Sequence, residues 1–444
     1  MGSTSLDDVW RRETPHVVAA LARRYGDFDG AEEATQEALL AAARQWPRKG
    51  APDNPRGWLI RVASRRLVDQ WRSDTAREKR ELAVTTQQGT RLLVAPAADG
   101  DPAAEGDDTL LLLLLCCHPV LTPPSQVALT LRAVGGLSTA QIAAAFLVPE
   151  STMAQRISRA KATLRDCGAR FTTPDSGAPA DLSDRLVAVM RVLYLVFNEG
   201  YATSRGADLV DVSLTDEAIR LARRLHAAVS DSAQGGDRAQ GGDRAQGVDR
   251  AQGVDRAQAA EAAGLLALML LTDARRPARA DAAGELVPLE YQDRRRWDRS
   301  AIAEGVALVE EVLPHGRVGP FQLQAAIAAV HDESPTWGDT DWLQIAMLYR
   351  MLDGIAPNPV TTLGLVVAVG MAHGPDAGLD VLRPLEKRTD LANHHRLHAV
   401  RAHLLDMAGR HDEAVEAYRL AARLTASIPE QRYLNARAAS AHAG

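Results

Sequence analysis

Apolar side chains recur at intervals of three and four through most of this chain and strict alternation is rare, so the pattern predicts an all-α protein. The sharpest instance runs from residue 137 to 165. Ser138 followed by Gln141 fits a capping box, which opens a short helix with Ile142, Ala143 and Phe146 on its inner side. Pro149 marks the start of a second helix, in which Met153, Ile157, Ala160 and Leu164 return at helical spacing. The opposite face then presents Thr152, Gln155, Arg156, Ser158 and Arg159. Two short helices about a tight turn make a helix-turn-helix, and such a polar face suits phosphates and base edges. From Ser151 to Arg165 the charged residues are Arg156, Arg159, Lys161 and Arg165, with no acid among them. A basic face of this kind is also how a plain solvated surface reads.

Upstream, residues 1 to 81 form a helical block. Its middle begins with Asp27, Asp29, Glu32, Glu33 and Glu37 and continues as an alanine-rich apolar helix, the order a helix dipole favours. A loop from Trp46 to Pro55 leads to a net basic helix over about 56 to 79. There Trp58 and Trp71 interleave with arginines, which suits stacking on unpaired bases as well as packing in a core; for Trp71 packing is the expectation. Residues 82 to 108 lose periodicity and gather Asp99, Asp101, Glu105, Asp107 and Asp108, which reads as a flexible acidic linker. The helix-turn-helix block spans 109 to 172, and a linker at 173 to 184 precedes a helical region over 185 to 444.

Inside that region, residues 233 to 256 repeat a hexapeptide, Ala-Gln-Gly-Gly-Asp-Arg twice and then Ala-Gln-Gly-Val-Asp-Arg twice. This reads as a disordered, low-complexity insertion at 233 to 258, with no function assigned. Near the end, Ala402, Gly409, Ala414, Tyr418 and Ala421 fall at the spacing of a tetratricopeptide-type hairpin, and Gly378, Leu382 and Leu385 form a weaker copy.

Composition adjusts this picture little. At 444 residues the length suggests about three domains, and 46% hydrophobic with only 4% aromatic residues favours helix over sheet. The net charge of -6 argues against nucleic-acid binding only if averaged over the chain. The Leu110 to Leu115 run is far shorter than the ~20 residues a bilayer requires, so the expectation is a cytoplasmic protein without a membrane segment. Three cysteines, Cys116, Cys117 and Cys167, lack any metal spacing and read as buried apolar residues. No cofactor is implied.

Taken together, the first two blocks resemble the bacterial sigma-70 family in its extracytoplasmic-function (ECF) branch, over about residues 7 to 170. The likeness rests on Ala31 through Leu40, on Gly57-Trp58-Leu59-Ile60-Arg61-Val62-Ala63, on Gly136 through Ala143, and on Thr152 through Lys161. It implies two small helical domains, region 2 and region 4, joined by the linker. Region 2 would bind core RNA polymerase through Glu32, Glu33, Gln36, Glu37 and Leu40. It would hold the unpaired -10 strand of promoter DNA through Asn54, Trp58, Arg61, Ser64 and Arg65. Region 4 would read the -35 element through Thr152, Gln155, Arg156, Ser158 and Arg159. Two positions depart from the family's pattern: Leu147 stands where the turn commonly has glycine, and Ala154 where a longer side chain frequently touches DNA.

The remainder resembles the long, tetratricopeptide-like extension of one subgroup of these factors, on Leu195 through Tyr201, Gly264 through Leu271, Gln292 through Asp298 and Gln324 through Ala329. The likeness implies that the extension controls activity, with a regulatory protein or ligand bound to it, and that the chain is not an enzyme. A rival reading makes the tail enzymatic, with Glu199, Asp293, Asp298, His394, His395, His398 and His403 gathered into a polar or metal site. Another makes the chain a plain helix-turn-helix regulator with a scaffold tail.

Overall fold

A computed structural model describes residues 6–82, 109–146, 148–167, 179–202, 209–238, 249–314, 317–389 and 391–443. Among them the chain forms eighteen α-helices, a few short 3-10 turns and an antiparallel bridge between Ala280 and Leu286, as the apolar spacing predicts.

The first three helices, α1 (Leu6–Tyr25), α2 (Phe28–Lys49) and α3 (Pro55–Leu82), pack on one another around Val18, Leu21, Ala34, Ala38, Leu59 and Leu67. Asp27 caps α2, its carboxylate accepting from the Gly30 N–H at 3.0 Å. Helix α2 runs through Pro47, which the sequence reading places in a loop. A proline in the last turn forfeits a single hydrogen bond, and the helix ends only at Gly50, whose φ of 81° suits glycine. The connection is thereby shortened to residues 50–54.

The next four are α4 (Thr109–Cys116), α5 (Pro123–Ala133), α6 (Thr139–Ala145) and α7 (Glu150–Asp166). The leucine run lies in α4, where Leu112 to Leu115 are buried and the helix packs against α1 and α5. Cys116 and Cys117 are buried, and burial pushes the Cys117 thiol up to about 12. Cys167 is exposed, contrary to expectation, because it caps the end of α7 beyond the last buried residue, Leu164.

Helix α8 (Pro179–Tyr201) begins inside the stretch expected as a linker at 173 to 184, its proline suited to a first turn. It is followed by α9 (Val212–Arg238), α10 (Asp249–Ala274), α11 (Arg299–Val312), α12 (Pro320–Glu333), α13 (Trp342–Ile355), α14 (Pro359–His373), α15 (Pro375–Glu386), α16 (His395–Met407), α17 (His411–Leu424) and α18 (Ile428–Ala443). The hexapeptide array is therefore helical at both ends, where α9 and α10 run into it. Extending an existing helix needs no new nucleus, and alanine, glutamine and arginine are good helix formers. Residues 239–248 lie outside the described residues, as do Leu147 and the linker at 83–108.

Helix α10 packs against α9, α11 and α12, and from there each helix packs on the next through α18. The stretch Arg256–Ala278 is long and apolar enough to cross a bilayer, which the sequence reading overlooked. Its Leu265, Leu266, Met269 and Leu271 are instead buried by protein. Ala402, Ala414, Tyr418 and Ala421 meet in one core between α16 and α17, with Gly409 turning the chain at φ 72°. Gly378, inside α15, instead lets that helix approach α14 closely: a Cβ there would lie 3.0 Å from the Gly370 Cα. By compactness the chain divides into two units, 1–192 and 193–444, with the boundary inside α8.

Candidate functional site

Helices α6 and α7 build the helix-turn-helix. The Ser138 N–H donates to Gln141 Oε1 at 2.8 Å and the Gln141 N–H donates to Ser138 Oγ at 3.1 Å, the reciprocal capping box. In α7 the buried residues are Met153, Ile157, Ala160 and Leu164. That burial turns Thr152, Gln155, Ser158 and Arg159 outward, with Arg156 half-buried at the edge of the same face and Ala154 also exposed.

In the first block, Glu33 and Glu37 are exposed and Gln36 half-buried along α2, and Leu40 is 58% exposed. Spacing of three and four places these four on one helix face; from α3, Gln70 donates to Glu33 at 3.5 Å and Arg66 lies 3.5 Å from Glu37, while Leu40 stays open to solvent. Glu32 is not part of it: only 4% exposed, it points the other way. Across from this face, Arg61 and Arg65 of α3 are exposed. Trp58 is half-buried with its ring edge-on to Trp46 at 5.4 Å. Asn54 spends its side-chain carbonyl on the start of α3, accepting from the Gly57 N–H at 2.8 Å. Ser64 presents no hydroxyl to solvent, since its Oγ is buried without a partner. Trp71 packs edge-on to Tyr25 at 5.5 Å, as expected.

Sequence reasoning missed how the two blocks meet. Lys161 of α7 donates to Asp29 at 2.9 Å and to Glu32 at 2.6 Å, both on α2. Arg165 donates to Asp29 at 3.0 Å, and the Arg132 Nε of α5 lies 2.9 Å from Glu32. The Lys161 side chain is 12% exposed and that of Glu32 5%, so this pair is largely out of water. Burial works against both charges of the Lys161–Asp29 contact. Charge and hydrogen bonds outweigh it: Lys161 and Arg165 lower the Asp29 carboxyl, and Glu32 ahead of Asp29 raises the Lys161 amine.

The tail residues of the rival enzymatic reading do not gather. Asp293 and Asp298 are helix caps, accepting from the N–H groups of Arg295 and of Ser300 and Ala301. His394 and His395 stack on each other at 5.3 Å, and His398 meets the Ala392 carbonyl at 2.8 Å. Among the described residues no group of three or more His, Cys, Asp or Glu is placed to hold a metal ion.

Comparison with known proteins agrees with this geometry. Residues 9–77 match the model of sigma-70 region 2 and residues 111–164 that of sigma-70 region 4. Residues 185–236 and 243–313 match a family of unknown function, DUF6596. An uncharacterized protein of Rhizobium meliloti (strain 1021) is 40% identical over 95% of this chain and 92% of its own length. The ECF RNA polymerase sigma factor SigK of Mycobacterium tuberculosis (strain ATCC 25618 / H37Rv) is 30% identical over 37% of this chain and 94% of its own. The probable ECF RNA polymerase sigma factor SigI of the same strain is 29% identical over 35% of this chain and 53% of its own. No solved structure matches. With a capped helix-turn-helix, both sigma-70 regions matched in order and a sigma factor relative covered over nearly its whole length, the chain belongs to the ECF sigma factors of the sigma-70 family, its extension fitting a DUF6596 domain.

Proposed function

We propose that this protein is a promoter-specificity subunit of RNA polymerase whose extension governs its activity. The observation that carries the reading is the pairing of two separate faces on one chain: Glu33, Gln36, Glu37 and Leu40 on α2, and Thr152, Gln155, Arg156, Ser158 and Arg159 on α7. The first suits a basic partner surface with an apolar spot, the core enzyme. The second suits the major groove at the -35 element. Arg61, Arg65 and the Trp58 edge take the -10 strand by phosphate contact and stacking, with Asn54 and Ser64 shaping α3 beneath them. No step is catalytic, and the chain works where polymerase and chromosome are, in the cytoplasm. The working parts are residues 1–81, 109–172 and 185–444, the last with tetratricopeptide-like hairpins.

The ties between Lys161, Arg165 and the acids of α2 define a closed form. Elements at -10 and -35 lie about 25 base pairs apart, roughly 80 Å of duplex at ~3.4 Å per step. Blocks joined by hydrogen bonds cannot reach both. The 26 residues from 83 to 108 span at most about 90 Å when extended, enough once the ties are broken. Engaging both promoter elements from core polymerase therefore requires the open form.

The test is a mobility shift with promoter duplex. Retardation only with core polymerase is expected; tight sequence-specific binding by the chain alone would refute the reading. Arg159→Ala should cost about 1–3 kcal/mol on the cognate -35 sequence and little on others. An equal loss on every sequence would remove Arg159 from base recognition.

A further inference from the structure

The second unit contains a cavity of about 320 Å³, between α8, α10, α12, α13 and the first turn of α14. We propose that it binds a small organic carboxylate with an aromatic or apolar body, the effector through which the extension acts. This rests on the reading of the extension as the controlling part, but the site is argued from its own chemistry.

Size comes first. The volume lies at the small end of ligand pockets and holds about ten water volumes at ~30 Å³ each, so the ligand has on the order of ten to fifteen heavy atoms. Leu268 and Ile327 give the cavity an apolar wall, and the rings of Tyr194 and Tyr349 line it. Gly364 lets the Tyr349 ring lie against α14, since a Cβ there would be 2.5 Å from the ring.

The polar groups converge on a single negative charge. Arg275 lines the cavity, held by Asp332 at 2.6 Å, by the Ala328 carbonyl at 3.0 Å and by the Trp297 face at 5.6 Å. Those bonds use Nε and Nη2 and leave Nη1 without a hydrogen-bond partner among the described residues. Arg294 stands behind it on the same indole, at 4.7 Å, and donates to the His331 and Ser334 carbonyls. Two guanidinium groups against one buried carboxylate leave an excess of one positive charge, which suits a monoanion better than a phosphate dianion.

His331 also lines the cavity, packed between the rings of Trp337 and Trp342, with its Nδ1 buried and without a partner. Burial and the charges of Arg275 and Arg294 push this imidazole down to about 3. It therefore stays neutral at physiological pH and adds no charge to the cavity. The first turn of α14 adds the Thr361 hydroxyl and the positive end of a 15-residue helix.

The experiment is thermal shift and calorimetry on the full chain, without polymerase, using benzoate, phenylacetate and salicylate as probes. Benzamide and inorganic phosphate serve as controls. The expected result is binding of at least one carboxylate, with affinity falling tenfold or more in Thr361→Phe, whose larger side chain takes up cavity volume, while the variant keeps wild-type helicity. Absence of binding by all three carboxylates overturns the proposal. So does equal binding of benzamide or phosphate, or unchanged affinity in Thr361→Phe. Because binding is read without transcription, failure here leaves the promoter-subunit reading standing, and failure of the polymerase-dependent mobility shift leaves the site standing.

Discussion

Lys161→Ala is expected to open the N-terminal unit, shifting its closing equilibrium by about two orders of magnitude. In the closed form the Lys161 ammonium serves Asp29 and Glu32 together, and Glu32 is almost entirely buried. Removing one partner of a buried pair costs ~3–5 kcal/mol, because the remaining charge is left without compensation. Arg132 stays beside Glu32 and holds the effect near the lower figure. About 3 kcal/mol corresponds to roughly a hundredfold shift at ~1.36 kcal/mol per decade. The cost is relieved by separating the two blocks, α1 from α4 and α5 included, rather than by unfolding either. The core of the first is built on Leu21, Ala38 and Leu67, and the inner face of α7 on Met153, Ile157 and Leu164, none of which uses the Lys161 head group. Small-angle scattering should therefore show a larger radius at unchanged helicity. An unchanged radius with a lower melting temperature would refute the closed form as a switch.

The same ties give a pH dependence with a defined sign. The Asp29 carboxyl lies below its ordinary value of 3.8, so its contribution is present above that value and fades as pH falls through the lowered one. The Lys161 amine lies above 10.5, so its contribution is complete below that value and fades as pH rises through the raised one. Scattering should show the closed form across the neutral range and opening at both extremes. Opening between pH 5 and 9 in low salt, roughly the range ordinary carboxylates and amines leave untouched, would contradict the assignment.

Residues whose partners are near in sequence were legible. Ser138 and Gln141 are three positions apart, and Met153, Ile157, Ala160 and Leu164 share a stripe set by helical geometry, so periodicity alone placed them. Lys161 was not legible, because it reads as one more cation in a stripe with Arg156, Arg159 and Arg165. Its acids lie 129 and 132 positions away, and nothing local distinguishes a cation facing DNA from one facing another block. Glu32 was misplaced for the same reason: beside Glu33 in sequence, it lies about 100° around the helix from it. The cavity was beyond reach, with walls drawn from five helices between Tyr194 and Thr361. Ser64 shows a milder form of the problem, since a helix of half-buried residues does not say which hydroxyl reaches solvent.

Gly264→Ala should destabilise the second unit by about 1–3 kcal/mol, although propensity alone predicts a gain of ~1 kcal/mol for alanine in a helix interior. Helix α10 touches α12 at this glycine. A Cβ would stand 2.7 Å from the Gln322 backbone nitrogen and 2.9 Å from its Cα, and backbone cannot rotate away. Overpacking of this kind costs ~1–3 kcal/mol. The shift would also withdraw the N-terminus of α12 from Glu261, whose carboxylate accepts from the Phe321 and Gln322 N–H groups at 3.2 and 3.3 Å, a cap worth ~1 kcal/mol. The two losses outweigh the propensity gain. At ~2–4 °C per kcal/mol for a unit of this size, the melting temperature should fall by roughly 2–12 °C. Gly354 of α13 is the matched control: nothing lies within 4 Å of its Cβ position and it is exposed, so Gly354→Ala should stabilise by ~0.5–1 kcal/mol. Equal effects from the two substitutions would show that the α10–α12 approach does not set the stability of the extension. A fall at Gly264 alone ties that stability to the helix pair carrying Arg275 and His331, so occupancy of the cavity and order of the extension would then be linked through the same contact.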